Sequence, residues 1–328
     1  MDQLSMFDFM YPTYKIKTPI RLIELFSGVG AQAMALRNLG VPFEHYRTCE
    51  WEVNAVASYK AIHFESDNTD YSAEYSEDEL IDILFSMGIS ANGKNALTRD
   101  QISKHQNCSR WLRETYNNII ATHNLVNICA TKGEDLGITD TGKYTYIMTY
   151  SFPCQDLSLA GKMKGMAKGS GTRSGLLWEV ERLLSEVTEL PQLLLMENVP
   201  QVVSADNIKH FHSWCDFLES KGYKNYTQIL NAKDYGIAQN RERCFMVSIL
   251  GDYNYKFPKP IELTSTMKDY LEPTVAPNYY MNTQKALDLI ADLISSGQLV
   301  NKEISNTVRG GGRGSIDRHQ WDAVAEKI

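Results

Sequence analysis

Residues 20–31 read IRLIELFSGVGA, a short apolar run from Ile20 to Phe26 that stops at a glycine-containing turn, Ser27 to Ala31. The run predicts a strand, and the helical pattern that follows to about Leu39 makes a strand–turn–helix unit. The same alternation continues along the chain. Strands are predicted at His45–Cys49, Tyr144–Tyr150, Gln192–Met196, Tyr226–Asn231 and Cys244–Leu250, and helices at Val53–Ile62, Gly175–Val187 and Asn207–Lys221. Stacked units of this kind imply an α/β fold with a doubly wound, mostly parallel, Rossmann-like sheet.

Two regions break the rhythm. Between about 65 and 109 the chain is acidic and then rich in Gly, Asn and Lys, which predicts an inserted helical lobe or long loop. After Leu250, Pro258, Pro260, Pro273 and Pro277 interrupt the alternation, and a glycine-rich tail, TVRGGGRGSIDRHQW, follows. The expected organisation is a main domain over 1–250, carrying the insertion, and a small, partial domain over 251–328.

The six cysteines (49, 108, 129, 154, 215, 244) include no CxxC pair, which speaks against a zinc site and a disulfide framework and suits a reducing cytosol. No apolar run approaches the roughly 20 residues that span a bilayer, and the N-terminus lacks a secretory pattern. A cytoplasmic protein is expected. The net charge of −7 includes eight acids and no Lys or Arg between Ala61 and Gly93, so the remainder is not acidic overall and a local basic surface is compatible with it.

Four segments carry chemistry. Ser27, Gly28 and Gly30 let the backbone approach a ligand after the first strand, although the turn alone is equally a tight strand–helix connection. Glu50 ends the second strand, where an acid can bind ribose hydroxyls, and Trp51 beside it offers an aromatic face for adenine. The longer glycine fingerprint of a pyrophosphate site is absent, so an adenosine ligand without phosphates fits better. Asp135 is a candidate acceptor for an adenine amino group; solvated loop acids are the plain alternative for Glu50 and Asp135.

Ser151-Phe152-Pro153-Cys154-Gln155-Asp156 follows the strand Tyr144–Tyr150 directly. A lone cysteine is by default a buried apolar residue, but Pro153 and polar neighbours predict a rigid, polar turn. A reactive thiolate needs electropositive surroundings, and Lys162, Lys164, Lys168 and Arg173 follow closely. Glu197, in MENVP, ends another buried strand; a helix-capping Glu-Asn before Pro200 is its alternative reading. Arg241 and Arg243 precede the strand that begins near Cys244, and two arginines at i and i+2 of an extended chain share a side. They suit a phosphate or a base oxygen, or form a solvated charge run.

Together FSGVGA, SFPCQDLSLAG, MENVP and QNRERCFMVSI, with LNAKDYG before the last, resemble the ordered motifs of the DNA (cytosine-5)-methyltransferases of bacterial and phage type over about residues 20–250. The resemblance implies methyl transfer from S-adenosylmethionine to C5 of a flipped cytosine in double-stranded DNA, in a restriction-modification or phage modification system. It assigns the cofactor pocket to Phe26, Ser27, Gly28, Gly30, Glu50, Trp51, Asp135 and Pro153. Cys154 would add to C6 of the cytosine, Glu197 would hydrogen-bond its N3 and amino edge, and Arg243 with Arg241 would hold O2 or a phosphate. Gln155, Ser158 and Lys162 would meet DNA, and Arg309, Arg313 and Arg318 of the tail suit phosphates or guanine edges. No metal is implied. No residue stands out as the base that removes the C5 proton, which leaves water.

Three departures accompany the likeness. Ser151 stands where the family usually has glycine, the stretch between the second and third motifs is unusually long, and the family's last two motifs are not visible before Ile328. Two other readings follow: a chain that binds cofactor or DNA but needs a second chain for activity, and an RNA cytosine-C5 methyltransferase.

Overall fold

The computed structural model describes residues 11–154, 157, 165–169, 171–274, 276, 283–296 and 304–306. The chain divides into two compact units, Met1–Gln228 with Cys244–Lys256, and Ile229–Arg243 with Phe257–Ile328.

The first unit starts with β1 (Ile20–Leu25), α1 (Ala31–Asn38), β2 (Phe43–Cys49) and α2 (Val53–His63). Five of the six β1 residues are buried, as expected for a strand covered on both faces. Three helices follow, α3 (Glu77–Met87), α4 (Arg99–Ser103) and α5 (Cys108–Ala121). The main alternation then resumes with β3 (Thr145–Tyr150), α6 (Leu177–Glu186), β4 (Leu193–Asn198), α7 (Ile208–Ser220) and β5 (Tyr223–Asn231). After the short β6 (Gln239–Asn240), β7 (Glu242–Leu250) completes a six-stranded sheet of order β2-β1-β3-β4-β7-β5. The pairs β1/β2, β1/β3 and β3/β4 are parallel, and β4/β7 is antiparallel. The α/β doubly wound expectation therefore holds. From β1 the chain runs outward to β2 and then crosses to β3 on the other side, which puts the topological switch point between the carboxyl ends of β1 and β3.

Leu25, Met148, Tyr150, Met196, Trp214 and Leu218 belong to one continuous core. The buried Trp214 indole is satisfied by donating to the Tyr150 hydroxyl at 3.1 Å.

The region from 65 to 121 is a helical lobe with its own core, in which Leu80, Leu84, Ile102 and Leu112 are fully buried and pack with Val53 and Val56 of α2. Its acids serve local structure. Ser76 and Glu79 form a capping box at the start of α3, and Gly88 ends that helix in the left-handed conformation. Asp70 accepts from Ser72 and from the Asn117 side chain, and Asp82 pairs with Arg99 at 2.6 Å.

In the second unit, β6 pairs in parallel with β8 (Ser305–Asn306), which follows α8 (Gln284–Ser295). A 3₁₀ turn at Ala232–Tyr235 is held by Ile261 N–H donating to the Asp234 carbonyl at 2.9 Å and by the Tyr235 hydroxyl donating to the Pro258 carbonyl at 3.0 Å. Among the described residues no helix is long and apolar enough to cross a membrane.

Candidate active site

Strand register places the site. Leu25 aligns with Cys49 on β2 and with Tyr150 on β3, and Tyr150 aligns with Met196 on β4. The next residue on each chain is Glu50, Phe26, Ser151 and Glu197. These four form a row along the carboxyl edge of four adjacent parallel strands, three strand spacings or about 14 Å from end to end. The switch point lies at the middle of the row, where Gln32 of α1 donates to the Ser151 hydroxyl at 3.1 Å.

At one end of the row Glu50 is tightly held. Its carboxylate accepts the Gly28 N–H at 3.1 Å through one oxygen and the Glu52 N–H at 2.9 Å through the other. Burial raises its pKa, against the effect of those backbone hydrogen bonds. The loop that supplies Gly28 is anchored by Phe26 and Ser27, whose N–H groups both donate to the Cys49 carbonyl. Phe26 has φ of 57°, a left-handed conformation that a bulky residue adopts only when its surroundings impose it. Gly30, at φ 81°, lies so close to α2 that a Cβ there would sit 2.3 Å from His63 Nε2 and 2.5 Å from the Tyr59 ring. Below the loop, buried Glu24 accepts from the Tyr59 hydroxyl at 2.5 Å and from Ala33 N–H at 3.2 Å, and burial pushes its pKa up to about 7. Trp51 is half-buried and packs against the lobe's core. Asp135 is exposed, and its carboxylate caps a 3₁₀ turn by accepting Lys132 N–H at 2.8 Å.

Beyond Ser151, Cys154 is half-buried and packs against the edge of the main core. Its carbonyl accepts Leu157 N–H at 3.0 Å, and the Ser174 hydroxyl holds the Pro153 carbonyl at 2.8 Å. The cysteine loop is tied to the acid strand by Asn198, which donates to the Phe152 carbonyl at 3.0 Å and accepts Val199 N–H at 2.8 Å. Glu197 is half-buried beside the thiol of Cys244, whose pKa is pushed up to about 11 by burial and by the Glu197 charge.

The lysine expected near the thiol is engaged elsewhere: the Lys168 ammonium pairs with Glu181 at 2.6 Å and lies over the Trp178 ring. Arg241 and Arg243 belong to the second unit, where Arg241 N–H donates to Asn231 and the Arg243 guanidinium donates to the Glu242 carbonyl at 2.6 Å. Gln155, Ser158, Lys162, Lys164, Arg309, Arg313 and Arg318 lie outside the described residues.

Sequence reasoning missed Glu24, Tyr59, His63 and Asn124 as supports of the site. Only Glu24 carries a local signal, an acid inside an apolar run. Asn198 was visible in MENVP, but its bond to Phe152 depends on strand register. A cavity of about 490 Å³ lined by Tyr14, Lys15, Lys17, Thr145 and Gln192 opens at the opposite, amino edge of the sheet, away from the row. Among the described residues no group of three His, Cys, Asp or Glu is placed to hold a metal ion.

The arrangement suits S-adenosylmethionine. A backbone loop without a pyrophosphate fingerprint faces a desolvated carboxylate whose two oxygens accept the Gly28 and Glu52 N–H groups, a setting that suits a ribose hydroxyl.

The profile of the family described as C-5 cytosine-specific DNA methylase matches residues 20–96 and 84–321. The chain is 37% identical over 273 residues to the orphan methyltransferase M.SssI of Spiroplasma monobiae, covering 80% of this chain and 67% of that one. It is 35% identical over 272 residues to the type II methyltransferase M2.ScrFI of Lactococcus lactis subsp. cremoris, covering 82% and 72%. In fold it is similar to the S. pombe Dnmt2 methyltransferase, with a TM-score of 0.51, 17% identity, and coverage of 82% of this chain and 64% of that one. With this profile match and these relatives, the chain belongs to the family of S-adenosylmethionine-dependent DNA cytosine-5 methyltransferases.

Proposed function

We propose that this chain methylates C5 of cytosine in double-stranded DNA as part of a restriction-modification or phage modification system, with Cys154 as nucleophile and Glu197 as the group that reads the base edge. The observation that carries the reading is the row Glu50–Phe26–Ser151–Glu197, with the Cys154 loop bound through Phe152 to the residue after Glu197. It supports a reading in which the two acids, Glu50 and Glu197, stand about 14 Å apart on one sheet edge with the Cys154 loop between them in strand order.

Phe26, Ser27, Gly28, Gly30, Glu50, Trp51, Asp135 and Pro153 would hold S-adenosylmethionine, which would supply an electrophilic sulfonium methyl and, as the S–CH3 bond breaks, keep the bonding pair on sulfur as the neutral thioether S-adenosylhomocysteine. The Cys154 thiolate forms a bond to C6 of the cytosine, and the displaced electron pair makes C5 nucleophilic. Glu197 hydrogen-bonds N3 and the amino group and stabilises that electron-rich base. After C5 has gained its methyl group, the C5 proton leaves to water, the pair it releases restores the ring double bond, and the Cys154–C6 bond breaks. The base must leave the stack, at a cost of a few kcal/mol, and Arg243 with Arg241 would hold its O2 or a phosphate. Gln155, Ser158, Lys162 and the tail arginines 309, 313 and 318 would contact DNA.

The test is transfer of labelled methyl to mixed-sequence duplex DNA, with an RNA arm, by wild type and Cys154→Ser. Transfer to DNA by the wild type alone is expected. Transfer by both proteins removes Cys154 as nucleophile, and transfer to RNA alone favours the RNA enzyme. Cofactor binding without transfer favours a chain completed by a second one.

A further inference from the structure

The lobe between β2 and β3 grips the cofactor acid from two sides. On one side the side-chain amide of Asn124 pairs with the main chain of Glu50 as a peptide would: Asn124 Oδ1 accepts Glu50 N–H at 2.9 Å, and Asn124 Nδ2 donates to the Glu50 carbonyl at 2.9 Å. Asn124 Oδ1 also accepts Val126 N–H at 3.0 Å, which fixes the amide in that orientation. The segment leading to it is clamped to β2, with Leu125 N–H donating to the Thr48 carbonyl and the Thr48 hydroxyl donating to the Thr122 carbonyl. On the other side, fully buried Ser90 donates its N–H to the Trp51 carbonyl at 2.7 Å and accepts Val53 N–H at 2.9 Å. Thus the main chain from Thr48 to Val53 is bridged to the lobe before and after Glu50.

Asn124 is also held by strained backbone. His123 and Val126, neither a glycine, have φ of 50° and 62°. A β-branched residue in the left-handed region is an outlier that persists only where its surroundings demand it, and such outliers concentrate at functional positions.

We propose that the lobe is a brace for the cofactor acid and that Asn124 is its positioning residue, acting on S-adenosylmethionine through Glu50. This rests on the reading of Glu50 as the ribose-binding acid. Of the common side chains only asparagine presents a donor and an acceptor at this reach. Aspartate keeps the size, loses the donor and brings a second negative charge beside Glu50.

The experiment is a double-mutant cycle on the full chain with Asn124→Asp and Glu50→Ala, reading the Kd for S-adenosylmethionine and, separately, kcat at saturating cofactor. Asn124→Asp alone should raise Kd at least about tenfold, the scale of one misdirected hydrogen bond to a charged group, with kcat changed less than about twofold. In the Glu50→Ala background the same substitution should change Kd less than about twofold, because contacting pairs couple and independent sites add. Equal effects in both backgrounds, an unchanged Kd, or a loss confined to kcat overturns the brace. An unchanged Kd in Glu50→Ala alone removes the reading of Glu50 itself. Should Asn124→Asp not remain folded, Asn124→Ser takes its place in the same cycle.

Discussion

The Tyr59 hydroxyl donates to the buried carboxylate of Glu24 at 2.5 Å and meets His45 Nδ1 at 2.9 Å, so one phenol joins an acid and an imidazole beneath the Gly28–Gly30 loop. With the phenolic hydrogen directed at Glu24, the imidazole nitrogen is the donor in the second bond. His63 lies against the same phenol in a tilted pair, at 4.5 Å between ring centres, and its Nε2 meets the Val29 carbonyl at 3.1 Å.

This trio gives opposing pH slopes. Burial pushes Glu24 up to about 7, so between about 4.5 and 7 the folded state holds a proton that the unfolded chain has released, and this group lowers stability as pH rises. Burial, with His63 and Arg37 nearby, pushes His45 down to about 4, so between about 4 and 6.5 the unfolded chain binds the extra proton, and this group raises stability as pH rises. In Glu24→Gln only the second slope remains. Urea midpoints taken from pH 4.5 to 6.5 should climb more steeply in the variant than in wild type, and parallel curves would contradict the assignment.

Gly30→Ala should be costly and Gly28→Ala much less so. Both glycines have positive φ, 81° and 52°, so each alanine carries a left-handed penalty of roughly 1–2 kcal/mol. At Gly30 the new methyl also collides with His63 and Tyr59, whereas at Gly28 nothing lies within 4 Å. Overpacking of that kind adds about 1–3 kcal/mol. Thermal melts of the two variants should therefore differ by several degrees, with Gly30→Ala the lower; equal melting points would mean that α2 yields freely.

Asn198→Ala should slow chemistry without weakening cofactor binding. Asn198 is 2% exposed and is the tie between the acid strand and the Phe152 carbonyl two residues before Cys154. Its loss leaves a buried carbonyl without that donor, at about 1–3 kcal/mol of stability, and frees the loop that carries the proposed nucleophile, Cys154. A misplaced nucleophile can cost up to about 100-fold. Steady-state assays should show kcat reduced at least about tenfold, with KM for S-adenosylmethionine within about twofold; the reverse pattern counts against the tie.

The sheet was largely legible in the sequence, because the FSGVGA, SFPCQD and MENVP segments each begin at the end of a largely buried strand. Parallel pairing, with one register shift against β2 between Leu22 and Ile23, brings Glu50, Phe26, Ser151 and Glu197 level. The lobe was visible as an interruption, and in hindsight Leu112, Tyr116 and Ile119 mark the buried stripe of α5. Its core was harder to foresee, since it is completed by Val53 and Val56 of α2, which reads as part of the main fold. Asn124 carried no signal, because its role depends on a main chain 74 residues away. The antiparallel β4/β7 pairing was likewise hidden, as an apolar strand pattern does not encode direction.

The second unit draws on two separated pieces of chain, 229–243 and 257 onward. Anyone grafting that unit from one relative to another must therefore move a two-part cassette. A single fusion point at 257 would leave Asp234 and Tyr235 behind in the host, facing foreign residues where Ile261 and Pro258 belong. Chimeras cut at both segments should keep this lock intact, and those cut once should lose it whatever they recognise.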